Sequence, residues 1–162
     1  MGNELEVVEK SILHGLSGLG AHAEAQHAFE GADWEITGNR PDSVPHSLFQ
    51  LLNHLIYWQD WVVEWLDGDN PPVPESAADS WPGSVAPANE EVWHEAVARF
   101  TDGVDALTRR SRQADLFSIG NGKSRVEMLQ TISSHNSYHL GQVVFLRQIL
   151  GAWPPPSGGL TW

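Results

Sequence analysis

The chain has 162 residues, and 21 Asp and Glu against 9 Lys and Arg give it a formal net charge of −12. This length suffices for one domain with a real core, and the acidic balance argues against nucleic acid or an anionic membrane as a partner. The absence of cysteine excludes disulfides, thiolate ligands and a cysteine nucleophile. Neither a signal peptide nor an apolar run of the roughly 18 residues that a membrane span needs is recognisable, so we expect a soluble cytoplasmic protein.

Four stretches have the apolar periodicity of amphipathic helices. They extend from Asn3 to about Leu19, from Ser43–Pro45 to about Leu66, from Asn89 to the arginines at 109–112, and from Ser124 to Leu150. Asn89 is a typical N-cap, and Ser124 with Glu127 has the spacing of a capping box. The pattern leaves open whether residues 21–29 continue helix 1, and no stretch predicts a strand.

The connection between helices 2 and 3 is long and rich in proline. Residues 71–88 contain five prolines and no helical period. A connection of this length is usually a crossover, a lid or a disordered segment. A crossover along the bundle would leave helices 2 and 3 parallel. We therefore predict an all-α four-helix bundle, as a single domain over residues 1–162 with a proline-rich tail at 153–162.

Three histidines lie on the apolar faces of two predicted helices. His135 and His139 are one turn apart on helix 4, and His54 lies in the middle of the apolar face of helix 2. A lone buried histidine is more often a hydrogen-bonded core residue than a ligand. Three of them together would leave several polar atoms unpaired in a dry core, unless a metal satisfies them. Three nitrogens without a thiolate suit Zn²⁺, Ni²⁺, Cu²⁺ or Fe²⁺ rather than Ca²⁺ or Mg²⁺.

A metal with three protein ligands keeps a position for water or substrate, as catalytic zinc does. The attacking group would be a metal-bound water or an activated thiol, and no carboxylate is placed to act as a general base. Gln142, one turn after His139, is either a residue that orients the bound water or a polar residue at the helix boundary. Trp58 and Trp61 are candidates for a substrate pocket, although aromatic residues at helical spacing more often belong to a core.

Two motifs carry a resemblance to a known family. They are Leu-Leu-Asn-His-Leu at 51–55 and His-Asn-Ser-Tyr-His-Leu-Gly-Gln at 135–142, followed by Leu146-Arg147. With them the chain resembles the DinB-like (DinB/YfiT) superfamily over nearly its whole length. The resemblance implies helices in up-down-down-up order, with the long crossover between helices 2 and 3. It also implies a divalent metal, nickel or zinc, and iron is a further alternative that the donor set allows.

The ligand positions of the family match His54, His135 and His139. His22 matches a Gly-Ala-His element of similar sequences, and it is a second-tier candidate as a fourth ligand, a donor that orients a ligand, or a helix-end histidine. Many similar proteins look dimeric, so we expect a homodimer. Some are metal-dependent transferases that use low-molecular-weight thiols.

Two functions are consistent with these features. One is a divalent-metal-dependent enzyme that acts on a small molecule by hydrolysis or by thiol transfer, in detoxification or stress. The thiol would then be a second cofactor. The other is a stress-response protein that binds a metal or a ligand without turnover.

Overall fold

The computed structural model describes residues 2–113 and 115–159, and the side chain of Asn3 lies outside that description. Its four helices are α1 (Gly2–Ser17), α2 (Leu48–Leu66), α3 (Glu90–Ser111) and α4 (Arg125–Ile149). Short 3₁₀ turns occur in the connections, at Ala25–His27, Trp34–Ile36 and Ala77–Ser80. The prediction of an all-α fold with four helices is confirmed.

One small hairpin precedes α4, and the sequence did not predict it. Strands β1 (Ile119–Gly120) and β2 (Lys123–Ser124) pair in antiparallel register. Asn121 and Gly122 turn the chain between them with positive φ angles of 51° and 78°. Strands of two residues are too short to produce an alternating pattern, which explains the omission.

The ends of the helices follow local capping signals. Asn89 accepts a hydrogen bond from the N–H of Val92, and Ser124 forms a reciprocal capping box with Glu127, as predicted. The predicted start of helix 2 near Ser43–Pro45 was wrong. The N-cap of α2 is Ser47. Its hydroxyl accepts a hydrogen bond from the N–H of Gln50, and the side chain of Gln50 accepts one from the N–H of Ser47.

Helix α1 begins at Gly2, one residue before the predicted cap Asn3, whose side chain is not described. It ends at Ser17, where Gly18 and Gly20 adopt φ angles of 83° and 79° that favour glycine. The segment at 21–29 therefore leaves the helix and contains only one 3₁₀ turn.

Side-chain pairs fix the direction of α3 relative to α2. Asp60 pairs with Arg99, and further along both helices Asp67 pairs with Arg110. The residue numbers increase together, so α2 and α3 are parallel, and residues 67–89 form the predicted crossover.

Helix α4 runs antiparallel to α2 and parallel to α1. Between α2 and α4 the contacts are His54 with His135 and Leu66 with Arg125, so the residue numbers change in opposite directions. Between α4 and α1 with the segment after it, they are Gly15 with Ser133 and His22 with Ser137, so the numbers increase together. The predicted up-down-down-up order is therefore confirmed. No helix in the described part of the chain is both long and apolar enough to cross a membrane.

The core consists of two apolar clusters, one toward each end of the bundle. The first includes Phe29, Leu52, Trp93, Phe100 and Val143, and the second includes Ile12, Val62, Leu107, Leu116 and Leu129. Arg147 on α4 is 1% exposed, and its guanidinium donates to the carbonyl groups of Ala28, Glu30 and Ala152. This buried arginine attaches the segment after α1 to the end of α4.

Candidate metal centre

Three histidines meet where the middle of α2 faces α4. One ring nitrogen from each of His54, His135 and His139 lies within 4.8 Å of the others. His54 and His139 are 5% and 8% exposed, and His135 is partly buried. The two α4 rings lie one turn apart and meet edge to face, with centroids separated by 4.5 Å, because i and i+4 positions share a helix face. The structure thus brings together the three histidines that the sequence proposed as ligands.

The crossover fixes the orientation of His54. Its Nδ1 lies 3.1 Å from the carbonyl oxygen of Ser80, so Nδ1 carries the hydrogen and donates it. In a neutral imidazole the Nε2 atom then carries a free lone pair. That atom points toward α4 and lies 3.2 Å from the Nε2 of His135.

Gln142 orients His139 in a similar way. The Nδ1 of His139 lies 2.8 Å from the Oε1 of Gln142, one turn further along α4. A hydrogen on Nδ1 leaves Nε2 as the atom with a free lone pair. In metal sites, the ring nitrogen of a histidine that does not bind the metal typically donates its hydrogen to an oxygen acceptor, such as a backbone carbonyl. In the structure Gln142 thus contacts the imidazole itself, whereas the sequence suggested an oriented water.

His135 is the least satisfied of the three. Because the Nε2 of His54 has no hydrogen, the 3.2 Å contact requires one on the Nε2 of His135. The Nδ1 of His135 is then an acceptor, and it is buried with no partner among the described residues. An ion between the two Nε2 atoms would replace this shared proton. Their separation is close to the ~3.4 Å that tetrahedral geometry gives for Zn–N bonds of about 2.0–2.1 Å, so the donor set fits such a metal.

The surroundings keep these imidazoles neutral. Burial, together with the neighbouring imidazoles, lowers the pKa of His54 to about 4 and that of His135 to about 4. Burial also lowers the pKa of His139. At neutral pH the rings therefore offer lone pairs, and protons compete only weakly with a metal.

Trp81 on the crossover covers one side of the cluster. Its indole is stacked between His46 and His54, with ring centroids 3.5 Å and 3.8 Å away and interplanar angles of 7° and 3°. The edge of His139 also approaches it, at 5.8 Å between centroids. Sequence reasoning missed Trp81, although it is the one aromatic residue between positions 71 and 88.

The second-tier candidate His22 lies apart from the cluster. Its Nδ1 donates to the carbonyl of Ala23 at 2.8 Å, and its Nε2 lies 2.9 Å from the hydroxyl of Ser137. Both ring nitrogens are thus engaged, and His22 connects the end of α1 to α4. The structure does not bring it to the three histidines.

The two pocket candidates lie in different places. The ring of Trp58 approaches His135, with 6.2 Å between centroids. Trp61 lines a cleft of about 480 Å³ beside the crossover, and Trp58 is not part of that lining. Tyr138, which is 67% exposed, meets His139 edge to face, with 4.9 Å between the ring centroids.

Fold and site together define a four-helix bundle with a buried cluster of three histidines that could bind a metal ion. Residues 20–143 match the model of the DinB superfamily, a range that includes His54, His135, His139 and Gln142. The chain belongs to the DinB superfamily. Neither the curated proteins nor the solved structures gave a match to this chain.

Proposed function

We propose that this protein is a divalent-metal-dependent enzyme that acts on a small molecule by hydrolysis or by transfer of a low-molecular-weight thiol, in detoxification or stress. The convergence of His54, His135 and His139, each neutral at pH 7, is the observation that carries the proposal. Nickel or zinc is the expected ion, and iron is the next alternative that this donor set allows.

The three histidines would hold the ion, and an ion with an open position supplies Lewis-acid chemistry to water or a thiol. The remaining roles belong to the chain. Ser80 and Gln142 accept the Nδ1 hydrogens of two ligands and thereby fix both tautomers. Trp81 covers the face of His54 and excludes water from that side of the cluster.

Charge in the cleft beside Trp81, which none of the three histidines lines, disfavours the approach of an anionic thiol from that side. The cleft nearest to Trp81 is lined by the carboxylates of Asp60, Glu64 and Asp79. Its one guanidinium, Arg99, is already paired with Asp60. An anionic thiol cofactor would therefore meet repulsion from this side.

Elemental analysis of untagged protein tests the metal first. We expect near-stoichiometric nickel or zinc in the wild type, loss of the metal in His54→Ala, His135→Ala and His139→Ala, and retention in His94→Ala, whose side chain is 66% exposed beside Glu90. Added metal should raise the melting temperature of the wild type but not of the three site variants. Folded protein that cannot be loaded with metal would refute the site.

Turnover is tested next, with panels of hydrolase and thiol-transfer substrates on metal-loaded protein. Activity that disappears in His135→Ala and stays in His94→Ala would support the enzyme. Metal binding without turnover would favour the second candidate, a non-catalytic metal- or ligand-binding stress-response protein. The burial of the histidines supports the non-catalytic candidate, since His54 and His139 are less than a tenth exposed and Trp81 is stacked on His54.

A cytoplasmic homodimer is part of the same proposal. Three apolar side chains on one face of α4, Tyr138, Phe145 and Ile149, are 67%, 62% and 46% exposed. Such a stripe supports association of two α4 helices. Light scattering of the wild type against Phe145→Glu measures it, and a monomeric wild type would refute it.

A further inference from the structure

A cleft between α2 and the crossover is lined by side chains other than the three histidines. Its volume is about 480 Å³. One wall is a face of α2, and the other consists of the crossover prolines Pro71, Pro72 and Pro82 with the edge of Trp81. None of the three histidines lines it.

The α2 wall combines two kinds of side chain in a regular order. Tyr57 and Trp61 are one turn apart, and Asp60 and Glu64 are also one turn apart. On a helix these pairs form an aromatic column beside an acidic column. Two carboxylates at i and i+4 repel each other by a few tenths of a kcal/mol. Arg99 already pairs with Asp60, so Glu64 is the carboxylate of this column that a further cation would pair with.

The aromatic wall is already held in place without a ligand. The indole N–H of Trp61 donates to the carbonyl of Pro72 at 3.0 Å, which fixes the ring against the crossover. Trp81 is fixed as well, because both of its faces are covered by imidazoles. It therefore offers only an edge to the cleft, and the other aromatic rings of the lining are those of Trp61 and Tyr57, each of which also has a T-shaped contact with Trp58.

The charges of the lining point to a cationic occupant. Three carboxylates, those of Asp60, Glu64 and Asp79, line the cleft with one guanidinium, that of Arg99. Arg99 is bonded to Asp60, and Glu64 has no ion pair in the described part of the chain. An anion would find no unpaired positive group in this lining, whereas a cation would meet the carboxylate of Glu64 and, one turn away on α2, the ring of Trp61.

We propose that this cleft binds an organic ammonium ion, a protonated amine carried by an aromatic or aliphatic body. The ammonium group lies between Glu64 and the ring of Trp61, and the apolar body packs against Tyr57 and the crossover prolines. The proposal does not depend on the metal, since no ligand candidate lines the cleft.

Isothermal titration of chelator-treated protein with 2-phenylethylammonium tests the proposal, with 2-phenylethanol and 3-phenylpropionate as neutral and anionic probes of similar size. Chelation matters because an amine can also bind to a metal ion. We expect the ammonium probe to bind best, and Glu64→Gln to weaken it by about fivefold. Loss of the aromatic face in Trp61→Leu should weaken it by about threefold to fivefold.

Glu91→Gln is the matched control, since Glu91 is an exposed carboxylate in the first turn of α3 and does not line the cleft. It should leave the affinity unchanged. Because Glu64 is exposed, we expect Glu64→Gln to fold as the wild type does. This variant therefore tests the proposal even if Trp61→Leu impairs folding. Equal binding of the three probes, binding only in the metal-loaded protein, or no binding of the ammonium probe would each overturn the proposal.

Discussion

Acidification of the metal-free protein should destabilise it through the buried histidines. The pKa of His54 is about 4 in the folded protein, against 6.5 for the unperturbed side chain, mainly because burial disfavours the charged ring. The unfolded chain therefore takes up this proton first as the pH falls. The stability that His54 contributes is complete above about pH 6.5 and is lost as the pH approaches 4. At 1.36 kcal/mol per pKa unit, this loss amounts to about 3 kcal/mol.

The assay is urea unfolding in the presence of a chelator at several pH values between 7 and 4. His54→Phe removes the titrating group and keeps a ring to stack on Trp81. Between pH 7 and 4 the wild type should lose about 3 kcal/mol more of its free energy of unfolding than this variant. His94→Phe, which changes an exposed ring beside Glu90, should behave as the wild type. Parallel pH profiles for the wild type and His54→Phe would refute the reasoning.

Three further substitutions test other contacts. Arg147→Met leaves three carbonyl groups without their buried donor and should cost about 1–3 kcal/mol of unfolding free energy for each carbonyl that stays buried and unpaired, as measured in urea. Arg99→Met, at an exposed ion pair, should cost less than about 1 kcal/mol. Gly103→Ala would place a Cβ 2.2 Å from the Oε1 of the buried Gln59 and should lower the free energy of unfolding by about 1–3 kcal/mol. Adding Gln59→Ala to this variant removes the clash and should restore a part of that loss. Gln142→Leu removes the acceptor of the His139 Nδ1 hydrogen and should weaken zinc binding by about 10–100-fold in a chelator competition, with little change in the urea midpoint.

The sequence was informative where local signals decide the structure. Asn89 and Ser124 start their helices as predicted, since a cap depends only on residues within one turn. The pair His135 and His139 needed only helical periodicity, and His54 needed only a position on the apolar face of α2. Because helices hold such positions at fixed places, His54 could be grouped with His135 and His139, although it lies 81 positions before His135 in the chain.

The contacts made by the crossover could not be predicted from the sequence. A segment without helical or strand period gives no indication of which side chain turns inward, so Trp81 and the carbonyl of Ser80 were missed. The start of α2 was placed too early because Pro45 is compatible with a first helical turn. Ser47, two residues later, forms the actual cap.

The crossover lies between the candidate metal centre and the proposed ammonium cleft. Ser80 acts on the cluster through its backbone, because its carbonyl oxygen accepts the Nδ1 hydrogen of His54 and fixes the tautomer of that ring. The next residue, Trp81, covers His54 with one face and presents its edge to the acidic cleft. A ligand in the cleft would contact this edge, and a metal ion would bind His54. Both would therefore act on the contacts that Ser80 and Trp81 make with His54. If both sites bind as proposed, their affinities should depend on each other, and by linkage the factor must be equal in both directions.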